Sequence, residues 1–297
     1  MHKYIIISAV RNEAAYIEET IKSVTAQSVP PRKWIIVSNG STDSTDAIIL
    51  RHAASHPFIK LISTKMGTSR NFASKARAIN MGYALARFIP CDFVAVLDAD
   101  VSFGPAYYET IMNRFGDDPH LGIGGGVLYD NCDGVYVRQT VSVNWSVSGP
   151  IQMFRRSCFE GIGGYQALPH GGIDAVAEIT ARMKGWNVRT FTDLKVRHHR
   201  RTGSEKGSPL KTCFRDGIKE YGYGCHPAFV LAKSLSRLTD PPYVLGSVLR
   251  LAGYGVSWMR HEPRSLSAEY IASIRREQVA RLADIFKKNG LRQKECA

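Results

Sequence analysis

The sequence predicts an α/β domain, a mostly parallel central sheet flanked by helices, followed by a basic helical C-terminal extension. Three observations predict it. Short apolar, β-rich runs alternate with segments of helical period through the first hundred residues. Polar loops rich in capping residues follow those runs. Charge is segregated: residues 1–194 hold 19 Lys and Arg against 17 Asp and Glu, a net of +2, whereas 195–297 hold 20 against 9, a net of +11. Strand–helix alternation at short spacing indicates a parallel sheet covered on both faces. With 297 residues, 44% hydrophobic and 22% charged, the chain can bury a sizeable core. The expected division is a sheet domain over 1–205 and a helical extension over 206–297.

Tyr4–Val10 is the first strand-like run, followed by the polar Arg11-Asn12-Glu13. Ile17, Ile21 and Val24 recur at helical spacing, and Pro30-Pro31 stops that helix. Trp34–Val37 is a second strand, ending in Ser38-Asn39-Gly40-Ser41-Thr42-Asp43, which opens a helix around Asp46–Ala54. Phe58–Ile62 reads as a third strand and Asn71–Phe88 as a helix. The run Phe93–Leu97 is a buried strand that delivers Asp98-Ala99-Asp100. Right-handed crossovers put the loops after Val10, Val37 and Leu97 on one edge, around one pocket. Tyr107–Phe115 is helical, and the chain then becomes glycine-rich at Gly122, Gly124, Gly125 and Gly126. Strand-like pieces fall near Val135–Trp145, Ile151–Phe154, Val188–Phe191 and Leu194–Val196, with a helix over Ala175–Lys184. His198-His199-Arg200-Arg201 closes the last strand, and helical, basic sequence follows from Thr202.

A buried strand does not ordinarily end in two carboxylates. In an extended segment Asp98 and Asp100 face the same way, a pair of hard oxygen donors suited to Mg²⁺ or Mn²⁺ beside a substrate phosphate. Strand C-termini are also where ligands dock in open α/β sheets.

The runs IIISAVRNEAAYIEETIKSVTAQSVP, WIIVSNGSTDSTDAI, KARAINMGYA, VAVLDAD, MFRRSCFEGIGGY, GGIDAVAEITARMKGW and VRHHRR stand in that order over residues 3–201. Together they resemble the family 2 glycosyltransferases of GT-A fold, inverting enzymes that use nucleotide-diphospho-sugar donors. The resemblance implies roles position by position. Ala9, Val10 and Arg11 of the first loop, with Glu13, meet the nucleoside. Asn39 stands where the family usually has a base-reading aspartate, which keeps an acceptor but loses the charge. The resemblance puts UDP first, and the departure at Asn39 keeps dTDP and GDP open as alternatives. Lys75 or Arg70 reaches the base or phosphates, Asp98 the ribose, and Asp100 the metal, Mn²⁺ or Mg²⁺. Asp174 matches the catalytic base, although Ile173 replaces the usual acidic neighbour. Glu178, one helical turn on, is the substitute candidate. His198 or His199 supplies an imidazole to the metal, and alternation in a strand allows only one of them to do so.

The expected activity is metal-dependent transfer of a sugar to a hydroxyl of a glycan or polyprenyl-linked acceptor, in cell-surface polysaccharide synthesis. Binding of a nucleotide sugar without transfer is the alternative. The six scattered cysteines argue against a zinc knuckle or disulfide framework. The basic third carries no aromatic-rich RNA motif, so no nucleic acid partner is expected. Met1-His2-Lys3 runs directly into strand-like residues, so no secretory signal is expected. Pro242–Met259, with Arg250 at its centre, reads as a buried or interfacial helix. Tyr243, Tyr254 and Trp258, beside Arg237, Arg260 and Arg264, suit a headgroup-level position. The expected location is cytoplasmic, peripheral on the inner membrane face.

Overall fold

The computed structural model describes residues 2–64, 72–139, 144–168, 171–200 and 208–295, without the side chains of Phe72 and 284–295. The chain divides into two compact units, Met1–Thr202 and Gly203–Ala297.

In the first unit the four opening strands are β1 (Tyr4–Val10), β2 (Lys33–Asn39), β3 (Ile59–Thr64) and β4 (Phe93–Val96), all mutually parallel. All but β3 are buried and largely apolar on both faces. Tyr4 to Ile7 and Phe93 to Leu97 are completely or almost completely buried. Helices α1 (Ile17–Thr25), α2 (Thr45–Ser55) and α3 (Phe72–Ala86) connect them. Then follow β5 (Val101–Phe103), α4 (Tyr107–Asp117), β6 (Leu121–Cys132), β7 (Val135–Arg138), β8 (Met153–Arg155), α5 (Arg156–Gly161), α6 (Ile173–Met183) and β9 (Asn187–His198). The sheet order is β3-β2-β1-β4-β8-β6-β9-β5, with β7 paired to β6. β2 lies on one side of β1 and β4 on the other, so the order reverses there, and the crevice at such a reversal is a ligand site.

Helix α3 sits tightly on this part of the sheet. A Cβ on Gly82 would come within 2.7 Å of Ile7 Cγ2 and 3.3 Å of Val37 Cγ2. Asn80, two residues earlier, exchanges hydrogen bonds with the backbone of Tyr165 (2.8 and 3.0 Å). The Asn-x-Gly of this helix thus fixes its seat on the sheet.

Three stretches go beyond or against the sequence pattern. The glycine-rich stretch, to which no element was assigned, is the heart of β6, because its glycines admit other backbones. A Cβ on Gly125 would meet Val147 Cγ1 at 2.4 Å, and one on Gly126 the carbonyl oxygen of Leu194 at 2.4 Å. The two short strands expected over 188–196 are one strand, β9, whose pairing with β6 shifts register between Gly125 and Val127. Of the strand piece expected near Val135–Trp145, Val135–Arg138 is strand and Asn144 and Trp145 are in a turn, while 140–143 lie outside the described residues.

The second unit contains α7 (Pro209–Gly222), α8 (Pro227–Leu235), α9 (Tyr243–Met259) and α10 (Ala268–Glu295). α7 and α9 meet backbone to backbone: a Cβ on Gly253 would lie 2.1 Å from the Phe214 carbonyl oxygen. Arg250, the charge at the centre of α9, is buried between Glu220 (2.8 Å) and Asp216 (3.3 Å), and Lys233 also reaches Glu220 (2.8 Å). Tyr254 is buried in this unit's core and donates to the Cys225 carbonyl, and Arg264 lies over the Tyr221 ring. Both therefore leave the expected headgroup set, while Tyr243 and Trp258 are exposed. Among the described residues, no helix is long and apolar enough to cross a membrane.

Candidate active site

The loops after β1 and β2 are laced into one wall. Asn12 adopts a left-handed backbone (φ 54°), its side chain accepts from Thr42 N (2.8 Å), and its own N–H donates to Ser41 Oγ (3.2 Å). Glu13 N donates to Thr45 Oγ1 (2.7 Å) and Ala14 N to Asp43 Oδ2 (3.1 Å). Short polar side chains that bond to nearby backbone make such turns rigid.

Against this wall lies a cleft of about 110 Å³. Of the residues expected to meet the donor, Ala9, Val10, Arg11, Glu13, Asn39, Lys75 and Asp98 all line it. Arg70 lies outside the described residues. Ser74 and Arg200 line it too, and sequence reading had given neither a role. Arg77 is exposed, whereas Lys75, on another face of α3, turns into the cleft.

Asp98-Ala99-Asp100 forms the turn between β4 and β5 rather than the end of an extended strand. In consequence its two carboxylates serve different cations. Asp98 pairs with Lys75 Nζ through both oxygens (2.6 and 2.7 Å). Burial works against the Lys75 charge, but the pairing with Asp98 and the fields of Asp174 and Asp100 outweigh it and raise its pKa. Lys75 is therefore a permanent cation within electrostatic reach of three carboxylates.

Asp100 is held in a buried cluster of its own. His198 Nε2 is 3.1 Å from Asp100 Oδ2, and His198 Nδ1 is 2.7 Å from Asp130 Oδ1. Arg200 Nε donates to the same Asp100 Oδ2, and its Nη2 holds both oxygens of Glu13 (2.7 and 2.9 Å). Burial would raise the Asp100 pKa, yet His198 and Arg200 hold it down to about 2. Burial likewise opposes a charged His198, but its two carboxylate partners raise its pKa. His199 points elsewhere: its Nδ1 meets the Tyr136 hydroxyl (3.0 Å) and its ring stacks on Tyr16. Of the two histidines, His198 is the one that faces Asp100.

Asp174 stands in the first turn of α6, after Gly172 in a left-handed conformation (φ 73°). It is half-buried against Gly149, where a Cβ would meet Asp174 Oδ2 at 2.8 Å. Glu178 is not available as a substitute base. It is 3% exposed, and its Oε1 accepts from Val147 N (2.6 Å) and Gln152 Nε2 (3.0 Å). It braces the 147–152 segment, whose Pro150 and Gln152 carbonyls accept from Asp98 N (3.0 Å) and Val96 N (2.8 Å). Glu178 is thus a positioning residue for the aspartate turn.

A divalent cation fits one part of this site. Asp100 Oδ1 is buried and has no hydrogen-bond partner among the described residues. With His198 it offers one hard oxygen and one imidazole, a partial set that phosphate oxygens can complete. The described residues contain no group of three or more acidic, His or Cys side chains able to hold a metal unaided.

With this geometry in place, comparison with known proteins is decisive for kinship. The model of the family "Glycosyl transferase family 2" matches residues 5–166. The chain belongs to that family. Among curated relatives of this glycosyl transferase family 2 chain is poly-beta-1,6-N-acetyl-D-glucosamine synthase. The Staphylococcus aureus (strain COL) protein is 32% identical over 113 residues, 37% of this chain, and the Staphylococcus epidermidis protein 29% over 111. The match spans only 25% of each relative's length. Solved structures share the GT-A fold. The mannosyltransferase PcManGT from Pyrobaculum calidifontis, in complex with GDP-Man and Mn²⁺, superposes with a TM-score of 0.56 at 17% identity, covering 95% of this chain and 80% of that one. S. aureus TarS 1–349 with UDP-GlcNAc gives 0.53 at 15% identity, covering 92% and 78%.

Proposed function

We propose that this family 2 chain is an inverting glycosyltransferase that moves a sugar from a nucleotide-diphosphate donor to a hydroxyl of a glycan or polyprenyl-linked acceptor. The observation that carries the reading is Lys75 set among Asp98, Asp174 and Asp100, beside a cleft built from the loops after β1, β2 and β4. In this reading Ala9, Val10, Arg11 and Asn39 bind the nucleoside and Asp98 the ribose. Lys75 then turns its charge toward the donor phosphates. Asp174 accepts the proton of the acceptor hydroxyl as its oxygen bonds to the anomeric carbon and the bond from that carbon to the diphosphate oxygen breaks. The nucleoside diphosphate departs with the electron pair. Asp100 and His198 would hold Mn²⁺ or Mg²⁺, which supplies positive charge to the leaving diphosphate.

The amide of Asn39 accepts from a base N–H without fixing which base. UDP remains the first donor to test, with GDP and dTDP beside it. PcManGT with GDP-Man and TarS with UDP-GlcNAc share this fold, which supports testing both nucleotides.

The second unit supports peripheral contact with an anionic cytoplasmic membrane surface. Its α8 and α9 expose Leu231, Leu235, Val244, Leu245 and Val248, with Tyr243 and Trp258 at the two ends of α9. Arg237 and Arg260 are exposed nearby in sequence. An apolar stripe with aromatic ends and basic neighbours suits a helix lying in the interface, and each basic side chain near anionic lipid adds about 1 kcal/mol.

The deciding experiment is a screen of UDP-, GDP- and dTDP-sugars for metal-dependent nucleotide release, with the wild type and Asp174→Asn. Turnover in the wild type that falls at least about a hundredfold in the variant, with donor affinity kept, supports the assignment. Equal turnover in both overturns the role of Asp174. Nucleotide binding without turnover on any acceptor favours a binding protein.

A further inference from the structure

We infer that Arg200 competes with a divalent cation for Asp100, so that the metal seat opens only when a nucleoside diphosphate offers the guanidinium another anionic partner. This rests on reading Asp100 and His198 as the metal seat.

The geometry closes that seat from within. The Asp100 oxygen that receives Arg200 Nε is also the one facing His198 Nε2. The imidazole nitrogen and the carboxylate oxygen that would both turn to a metal are thus turned to each other, with a guanidinium beside them. Only Asp100 Oδ1 is left without a partner among the described residues. The other end of Arg200 grips Glu13, on the loop after β1, through both carboxylate oxygens. Asp100 and Glu13 are almost wholly buried, with side chains 3% and 6% exposed, and two such carboxylates require a counter-charge. Arg200 supplies it. A metal ion entering alone would meet that positive charge and would have to take Asp100 from it.

Arg200 is also placed to move. Its side chain lines the cleft and is 21% exposed, against 6% and 3% for the carboxylates of Glu13 and Asp100 that it holds. Its guanidinium also lies 5.6 Å from the centre of the Tyr16 ring, a cation–π contact. A guanidinium matches phosphate as well as carboxylate, in the same two-pronged geometry. A diphosphate in the cleft would compete with Asp100 for Arg200 and leave Asp100 and His198 to the metal. The cleft volume of about 110 Å³ is below the roughly 300 Å³ at which small-molecule sites usually begin, so withdrawal of a lining side chain suits a nucleotide's entry. Nucleotide and metal would then promote each other's binding by the same factor.

The test measures Mn²⁺ binding, by electron paramagnetic resonance of free Mn²⁺ and by calorimetry, on the full chain, alone and with UDP or GDP. Wild type is expected to bind Mn²⁺ at least about tenfold more tightly with the matching nucleotide, an ordinary coupling between sites. Arg200→Gln is expected to bind Mn²⁺ alone about tenfold more tightly than wild type, with the nucleotide's effect correspondingly reduced. Arg200→Lys, which keeps charge but loses the two-pronged grip, should fall between them and carries the test if the glutamine variant does not fold. Wild-type affinity for Mn²⁺ alone and wild-type coupling in the folded variants would overturn the inference and leave Arg200 a structural clamp. Asp100→Asn separates the two levels. Loss of Mn²⁺ binding there, with unchanged Arg200 variants, removes only the competition, whereas wild-type Mn²⁺ binding in Asp100→Asn removes the metal seat itself.

Discussion

Replacing Glu178 by glutamine should make the protein more stable as the pH rises. Burial, opposed by the hydrogen bond from Val147 N and reinforced by the charge of Asp174, pushes the Glu178 carboxyl up to about 8. At neutral pH it is a neutral acid in the folded chain, whereas in the unfolded chain it ionises near 4.5. Between these values the unfolded state has lost a proton that the folded state keeps. The sign follows: its contribution is fully present below about pH 4.5 and is lost as the pH rises through about 8. The slope is about 1.4 kcal/mol per pH unit, so about 4 kcal/mol disappears between pH 5 and pH 8. Glutamine imitates the protonated acid, since its carbonyl oxygen can accept from Val147 N and Gln152 Nε2 as Glu178 Oε1 does. Urea unfolding followed by fluorescence, at half-unit steps from pH 5 to 8.5, gives the comparison. The two proteins should be nearly equal at pH 5, with the variant increasingly more stable above it. Other titrating groups, such as His198, are common to both proteins and cancel in the difference. Parallel stability profiles, or a variant weakened equally at every pH, would refute the reasoning. The same substitution should extend transferase activity on the alkaline side, because an ionised Glu178 would disturb the 147–152 segment that holds Asp98.

Lys75→Met removes a cation that both oxygens of Asp98 hold. Transferase kcat/KM should fall about a hundredfold, as when one charge-stabilising donor is lost, and an unchanged value would remove Lys75 from the site. Gly82→Ala should cost about 1–3 kcal/mol by thermal or urea unfolding, because the new Cβ meets Ile7 Cγ2 at 2.7 Å and α3 must lift. A variant as stable as wild type would show that the helix has room to spare. The double variant Leu235→Glu and Val248→Glu places two anions on exposed positions of α8 and α9. Co-sedimentation with vesicles containing about 30% anionic lipid should drop at least tenfold, while unaltered binding would remove this face as the contact.

The parallel half of the sheet was legible because β1, β2 and β4 are largely apolar on both faces and polar loops follow them. The pocket's chain of loops follows from handedness alone once those strands are placed. What sequence patterning missed has one physical cause: it reads side chains, and several decisive features are made by backbone. β6 received no element because Gly124, Gly125 and Gly126 lack the side chains that signal a strand. Those absent side chains are what admit the 147–151 segment and the Leu194 carbonyl. The aspartate pair was read as convergent because alternation was applied to an extended strand, whereas the chain turns at Ala99-Asp100 and the two carboxylates take different partners.

The same blind spot explains why Arg200 received no role. A carboxylate that follows an apolar strand is conspicuous, since it violates the pattern around it. A fourth basic residue in a row, on the most basic stretch of the chain, violates nothing. Yet the fold leaves Asp100 and Asp130 buried on one imidazole and buries Glu13 within reach of the Arg200 guanidinium, and such a concentration of negative charge demands a positive partner. Lys75 is committed to Asp98, on the other side of the turn. The partner therefore had to come from a segment that reaches Asp100 along the sheet, and β9 does so by pairing His198 with Val101. Two residues beyond that pair, Arg200 is the side chain that balances the cluster, and an anionic substrate entering the cleft must contend for it.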